Sequence, residues 1–367
     1  MPDAVDPSCA IARNGVAFAA SIHDQPFPDG KTDSTLAVYR SVDGGRTWQQ
    51  SSIGIDTRSL DRAYLTVDDT KGPVRNRVYV HGYFARRTPP PAVAFYQSSD
   101  AGQTFRSVQA KEAKTFSNSW YFPANGVVSD DGTFFALVAE LDNTKNNMSS
   151  GTDATTAVSS ADAVLSFFRS DGEGETLELA GRITDVYYDR RVPDLSMPAL
   201  AIDRSAGPFH GRIYAVWPDA RYDRRTQILL SYSNDEGRTW AAPGIVSDDS
   251  ATLKTNDRPN NFMPMVAVNS DGVVGISWYD RRDNPDNVGY WVRFSASLDG
   301  GETWLPSVRV STSPHLASDD TRKNSGDTAG LAADADGVFH PVWIDNRSGI
   351  PQMWTATVKV QARPHRR

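Results

Sequence analysis

The 367-residue sequence predicts an all-β protein, a six-bladed β-propeller of four-stranded antiparallel blades whose last blade is either one strand short or completed by the chain's first residues. Three observations carry this reading. An octet, Ser-x-Asp-x-Gly-x-Thr-Trp, begins at Ser41, Ser98, Ser233 and Ser297, the second copy closing on Phe105, and a decayed copy begins at Ser170. Those five serines are 57, 72, 63 and 64 residues apart, the near-constant period of units that cannot bury an apolar face alone and must stack. Six apolar strand pairs, each with a turn signal between its members, give the number of blades.

The octet is a hairpin tip. Its Asp accepts hydrogen bonds from backbone N–H groups of its own turn, Ser and Thr hydroxyls do the same, and Gly permits a left-handed backbone. The closing Trp or Phe is expected to drop back between strands as an apolar peg. Asn14-Gly15, Asp131-Gly132, Asp271-Gly272 and Asp336-Gly337 are tight hairpin dipeptides. Units two and four carry a matched insertion instead, Asp69 followed by Gly72-Pro73 and Arg77, and Asp203 followed by Gly207-Pro208 and Arg212. One domain over 1–367 results, with blades at about 8–55, 62–110, 122–182, 196–247, 261–311 and 327–361 and a basic tail at 362–367. The octet joins the third strand of a blade to the fourth. Unit six shows three strands, and residues 1–7 are expected either to leave it so or to add an edge strand that closes the ring.

A net charge of −7 without a clustered basic surface argues against nucleic acid as a partner. No run of about 18 apolar residues exists to span a membrane. The first residues lack a charged and an apolar region, so no signal peptide is expected, and Cys9 has no second cysteine to pair with. A monomer is expected. The six histidines lack zinc spacing, and Asp334-x-Asp336-Gly337 reads as a turn, not a calcium loop. No cofactor is called for, and the carboxylate-rich rim leaves room only for a structural calcium ion.

Blade geometry places the octets and the first hairpin turns on one rim, so the loops from strand two to strand three and the connectors into strand one share the other, where a ligand is expected. That rim gathers Asp24, Asp61, Arg62, Tyr64, Trp120, Tyr121 and Glu140. It also holds a second repeated motif, Trp-x-Asp-x-Arg, ending in Arg221, Arg282 and Arg347 of three consecutive blades. Three converging guanidiniums would grip a carboxylate. The alternative is that each Asp caps its loop and pairs with its own Arg.

The octet matches the Asp-box, or BNR repeat, and over most of its length the chain resembles the sialidase superfamily of propellers. The resemblance implies an arginine triad for a substrate carboxylate, a tyrosine nucleophile paired with a glutamate, and an aspartate acid/base. It also implies a location outside the cytoplasm, extracellular or periplasmic. Two departures count against true sialidase activity. Nothing before Ser41 matches the expected Arg-Ile-Pro, whose nearest text is Arg191-Val192-Pro193, and no tyrosine follows Tyr290.

Asp61, Glu140 and Asp280 are the carboxyl candidates for catalysis. Glu140 follows the apolar run 134–139, where partial burial would suit a general acid. Asp24, Arg62, Tyr64, Arg221, Arg282 and Arg347 are candidates to bind substrate, with Trp120 and Tyr121 as stacking platforms. The small polar stretch 143–161 is a long insertion on this rim. Two functions follow: exo-acting hydrolysis of an acidic glycan, or glycan or protein binding by a propeller without the catalytic residues.

Overall fold

The computed structural model describes residues 4–53, 57–72, 74–84, 93–111, 115–116, 119–142, 161–170, 176–188, 197–222, 225–249, 259–284, 289–315 and 329–361. The centre of the decayed octet, nearly all of the polar insertion, Arg191-Val192-Pro193 and the basic tail lie outside them. The described strands form six sheets, one per blade, and the fold class is the six-bladed β-propeller. Two compact units divide it: Met1–Met148 with Ala163–Thr184, carrying blades one to three, and Ser149–Asp162 with Asp185–Arg367, carrying blades four to six.

In the first unit, blade one is Ala4–Ile11, Ala17–Pro26, Thr32–Ser41 and Gln49–Gln50. It starts at residue 4 and not 8, because residues 4–7 extend its own first strand, Ala4 opposite His23. Blades two and three each gain a fifth strand beyond the expected four. Ser52–Ile53, leaving blade one, pairs in parallel with Thr104–Ser107 of blade two, and Gln109–Lys111, leaving blade two, pairs in parallel with Thr176–Val186 of blade three. Each covers an outer strand that would otherwise present bare N–H and C=O groups. In the second unit, blades four and five have four strands and blade six has three, Gly330–Ala333, Phe339–Asp345 and Gln352–Thr355.

The core lies between consecutive blades of each unit. Phe18, Val38, Leu65, Val80 and Tyr96 fill one layer, Tyr79, Phe95, Phe134 and Phe168 the next, and Tyr214, Val216, Val266 and Trp278 a layer in the second unit. A middle strand therefore has apolar neighbours on both faces. That explains why Phe134–Asp142 is buried at all but its last residue instead of alternating.

All four octets fold alike. Ser Oγ donates to Asp Oδ1 at 2.7–2.8 Å, Thr Oγ1 donates to Asp Oδ2 at 2.5–2.6 Å, and the Gly N–H donates to Ser Oγ at 2.7–2.9 Å. The peg expectation holds for Phe105, which is buried, but not for Trp48, which is 43 % exposed. Its indole folds over its own turn and donates Nε1–H to Gly45 O at 3.0 Å, as Trp240 does to Gly237 O at 3.1 Å. The octet also staples blades together. Arg40 Nε of blade one donates to Ala101 O, and Arg212 Nη1 of blade four donates to Gly300 O, the fourth octet position in both cases. Gly102 sits at φ +78° with a hypothetical Cβ 2.2 Å from Phe18 Cε1, so only glycine lets the preceding blade approach this closely.

The matched insertions of blades two and four are the same turn one residue out of the expected register. The structural counterpart of Asp203 is Asp68, not Asp69. Asp68 Oδ1 accepts from Thr70 N and Asp203 Oδ1 from Ser205 N, and the chain returns through Asn76 N to Asp68 O and Gly211 N to Asp203 O.

Candidate functional site

The first unit brings together the largest group of expected site residues. The first strand of blade two, Leu60–Val67, bulges between Asp61 and Tyr64, and Arg62 at the bulge takes φ +50°. Such a backbone is costly for a side-chain-bearing residue and turns its side chain off the strand's alternation. Asp6 and Met263 take φ +50° and +51° in the first strands of blades one and five, so the device recurs. Asp61 lies opposite Tyr83, whose hydroxyl donates to Asp61 Oδ2 at 2.8 Å while Asp61 Oδ1 accepts the Arg62 N–H at 3.0 Å. Burial, and then the Asp61 charge, push the Tyr83 phenol well above its ordinary range, so it is a fixed donor that orients the carboxylate. The Tyr83 ring packs on Phe122 at 5.0 Å, the Arg62 guanidinium lies 5.9 Å from that ring, and the Trp120 ring is 6.1 Å from it. Trp120 is 41 % exposed, so an aromatic face stands in water on the same Phe122 ring that Tyr83 and Arg62 lie against.

Other candidates of this unit separate. Tyr121 is 2 % exposed and belongs to the core, because strand alternation sends it to the face opposite Trp120. Tyr64 stacks on His81 at 5.6 Å. His81 is fully buried, donates Nε2–H to Ala124 O at 2.5 Å, and is pushed down to about 4 by desolvation. Asp24 is exposed near the end of Ala17–Pro26. Glu140, expected at a partly buried strand end, is 1 % exposed. Its Oε1 accepts from Thr115 N at 2.7 Å, Phe116 N at 3.3 Å and Ser119 Oγ at 2.5 Å, so this carboxylate closes the loop leading into blade three.

In the second unit the three Trp-x-Asp-x-Arg motifs take the second of the two arrangements their spacing allowed. Asp219, Asp280 and Asp345 are all 0 % exposed. Each accepts the Trp Nε1–H two residues before it, at 3.0, 2.9 and 3.5 Å, and the backbone N–H of the Arg two residues after it, at 2.8, 2.9 and 2.8 Å. The arginine then folds back onto its own aspartate. Arg221 Nη2 is 2.7 Å from Asp219 Oδ2, Arg282 Nε is 2.9 Å from both Asp280 oxygens, and Arg347 pairs with Asp345 through Nε and Nη2. The same Arg221 Nη2 also donates to Asp185 O at 2.5 Å, while Arg282 Nη1 reaches Asp248 Oδ1 at 2.8 Å and Arg347 Nη1 donates to Thr312 Oγ1 at 2.8 Å. Asp280 thus sits inside a buried network rather than beside a solvent-accessible reacting centre. Sequence reading missed the extension of that network. Arg225 pairs with Asp249, buried to 3–4 % on both sides, and Asn261 Nδ2 donates to Asp249 Oδ1 at 3.1 Å. Burial raises the Asp249 carboxyl against the pull of Arg225. Among the described residues no group of three acidic, His or Cys side chains is placed to hold a metal.

These features define a propeller with a small aromatic and charged cluster on the loop end of its first unit. No protein-family model matches the chain, and no curated protein matches it in sequence. Solved structures do. A Hadza microbial sialidase, Hz136, superposes with a TM-score of 0.56 and 15 % identity over 97 % of this chain and 66 % of its own, so the chain spans just under two thirds of that enzyme. The GH93 α-L-arabinofuranosidase of Fusarium graminearum, in complex with arabinobiose, gives 0.55 and 13 % identity over 98 % and 93 % of the two chains. The intramolecular trans-sialidase of Ruminococcus gnavus, with oseltamivir carboxylate, gives 0.54 and 14 % over 98 % and 96 %. The chain shares the six-bladed propeller fold of these glycosidases.

Proposed function

We propose that this protein recognises glycans through the loop end of blades two and three, with Asp61, Arg62 and Trp120 as the contact residues. The observation that carries the proposal is the exposed Trp120 ring packed against the same Phe122 as the Arg62 guanidinium and as Tyr83, which orients the Asp61 carboxylate. An indole stacks on the C–H face of a sugar, a carboxylate accepts hydroxyl protons, and a guanidinium pairs with a sugar acid. The glycosidase fold of the neighbouring structures supports a sugar as the ligand class. Binding is favoured over cleavage because, of the three carboxyl candidates, Glu140 through Oε1 and Asp280 through both oxygens already accept internal hydrogen bonds, which leaves Asp61 alone of that set where hydrolysis needs two. An exo-acting hydrolase of acidic glycans is the second reading, favoured by the half-buried Asp61 on its Tyr83 support.

The test is calorimetric titration with 3′-sialyllactose and arabinobiose, alongside an assay for released sugar. Binding that Trp120→Ala weakens at least tenfold, without sugar release, is the expected result. Release that Asp61→Asn abolishes would move the assignment to the hydrolase, and no binding of either sugar overturns both.

A further inference from the structure

Blade one holds a cavity of about 200 Å³, separate from the Trp120 cluster and lined by His23, Gln25, Phe27, Thr35, Gln50 and Thr57 among others. That size lies below the ~300–1,000 Å³ of drug-sized ligand sites and limits an occupant to about one small ring. Among the described residues, no carboxylate, guanidinium or ammonium belongs to its lining. Two carboxamides, an imidazole and the hydroxyls of Thr35, Ser51 and Thr57 do, and they supply donors and acceptors together, the pattern that vicinal hydroxyls match.

The Thr35–Thr57 pair points to a ligand most directly. Both residues are at least nine-tenths buried, at 5 % and 6 % exposure, and their hydroxyl oxygens are 2.5 Å apart. Two hydroxyls carry two protons, and one of them is shared within the pair. The only other partner shown is an incoming donor, the Leu36 N–H at 3.3 Å from Thr57 Oγ1, which needs an acceptor and uses no proton. Whichever threonine donates to the other, one buried hydroxyl proton has no protein acceptor among the described residues, and its oxygen lines the cavity. A buried donor is costly unless something accepts from it. Phe27 completes the wall. The Arg58 guanidinium covers its ring at 3.8 Å and is itself anchored on Asp29 at 2.6 Å, which holds the aromatic rigid.

We propose that this cavity is a second binding site, for a single neutral polyhydroxylated ring: a pentose or hexose unit without a carboxylate. The threonine pair donates to a ring or hydroxyl oxygen, Gln25 and Gln50 bridge neighbouring hydroxyls, and Phe27 offers an apolar edge to the ring carbons. The site stands independently of the glycan reading for Trp120, since it shares none of its residues.

The experiment is NMR titration of the full-length chain with lactose, arabinobiose and 3′-sialyllactose. It follows the Gln25 and Gln50 side-chain amides, the His23 ring and the Trp120 indole N–H, and the wild-type protein alone suffices. The proposal expects the two amides and the imidazole to shift with lactose or arabinobiose, and Gln50→Ala to weaken that response at least fivefold. Movement of Trp120 alone overturns this site and leaves the other. Blade-one shifts only with the sialylated sugar overturn the neutral class, and silence at both places overturns both.

Discussion

Asparagine at position 203 should stabilise this protein, and the reason is visible in its own repeats. Asp203 in blade four and Asn269 in blade five open equivalent turns, since Ser205 N donates to Asp203 Oδ1 at 2.7 Å and Asp271 N to Asn269 Oδ1 at 3.0 Å. Their second side-chain atoms reach the next blade's first turn. Asn269 Nδ2 donates to Gly337 O at 2.9 Å and lies 3.1 Å from where a Cβ on Gly337 would stand. Asp203 Oδ2 occupies the same place, 3.4 Å from the corresponding point on Gly272, yet it is buried without a hydrogen-bond partner. The repeat presents a position built for a donor and fills it with an acceptor. An unsatisfied buried acceptor costs about 1–3 kcal/mol. Asp203→Asn turns it into a donor, so a gain of about 1–3 kcal/mol is expected. With unfolding entropy near 2.1 cal/mol/K per residue over the whole chain, that is a rise in Tm of roughly 1–4 °C. The reciprocal Asn269→Asp should lower stability by a comparable amount, because it sets a carboxylate oxygen against the Gly337 carbonyl. Urea unfolding read at constant m-value, with scanning calorimetry, measures both. A midpoint unchanged or lowered in Asp203→Asn, together with an unharmed Asn269→Asp, would refute the argument.

Two further outcomes are expected. His81 is held neutral by burial, from 6.5 in the open chain to about 4, so its contribution is complete above about pH 6.5 and is lost as the pH falls towards 4, amounting to about 3 kcal/mol there. Denaturation midpoints between pH 7 and 4 should fall more steeply for wild type than for His81→Gln, and equal slopes would remove His81 from the acid response. Arg282→Ala strips the buried Asp280 of its closest counter-charge and should cost about 3–5 kcal/mol while sugar affinity of the folded protein stays intact. Lost affinity at unchanged stability would return Arg282 to a substrate-binding role.

Particular residues show which signals a linear reading can hold. The octet was readable because every bond in it spans at most four residues, so composition and spacing suffice. The turn dipeptides were readable for the same reason, and even there the Asp68-versus-Asp69 slip shows that register needs coordinates. The fate of Trp-x-Asp-x-Arg was undecided in sequence, since one spacing serves both a convergent arginine set and a self-paired one. Tyr83 was missed altogether. It resembles any core tyrosine of an apolar strand, and the Asp61 that gives it a role is 22 positions away. Trp120 and Tyr121 were inseparable as candidates until strand alternation sent one to water and the other to the core.

The amino-acid sequence by itself determined the repeat, its hairpins and the number of blades, because these rest on contacts between near neighbours along the chain. Tertiary structure alone decided which charged groups remain available to a ligand. Burial and pairing between strands use up Glu140, Asp280 and the three motif arginines, and leave Trp120 exposed with Asp61 and Arg62 half-buried. A side chain's chemistry belongs to its residue type, but its availability depends on which distant groups the fold has already set against it.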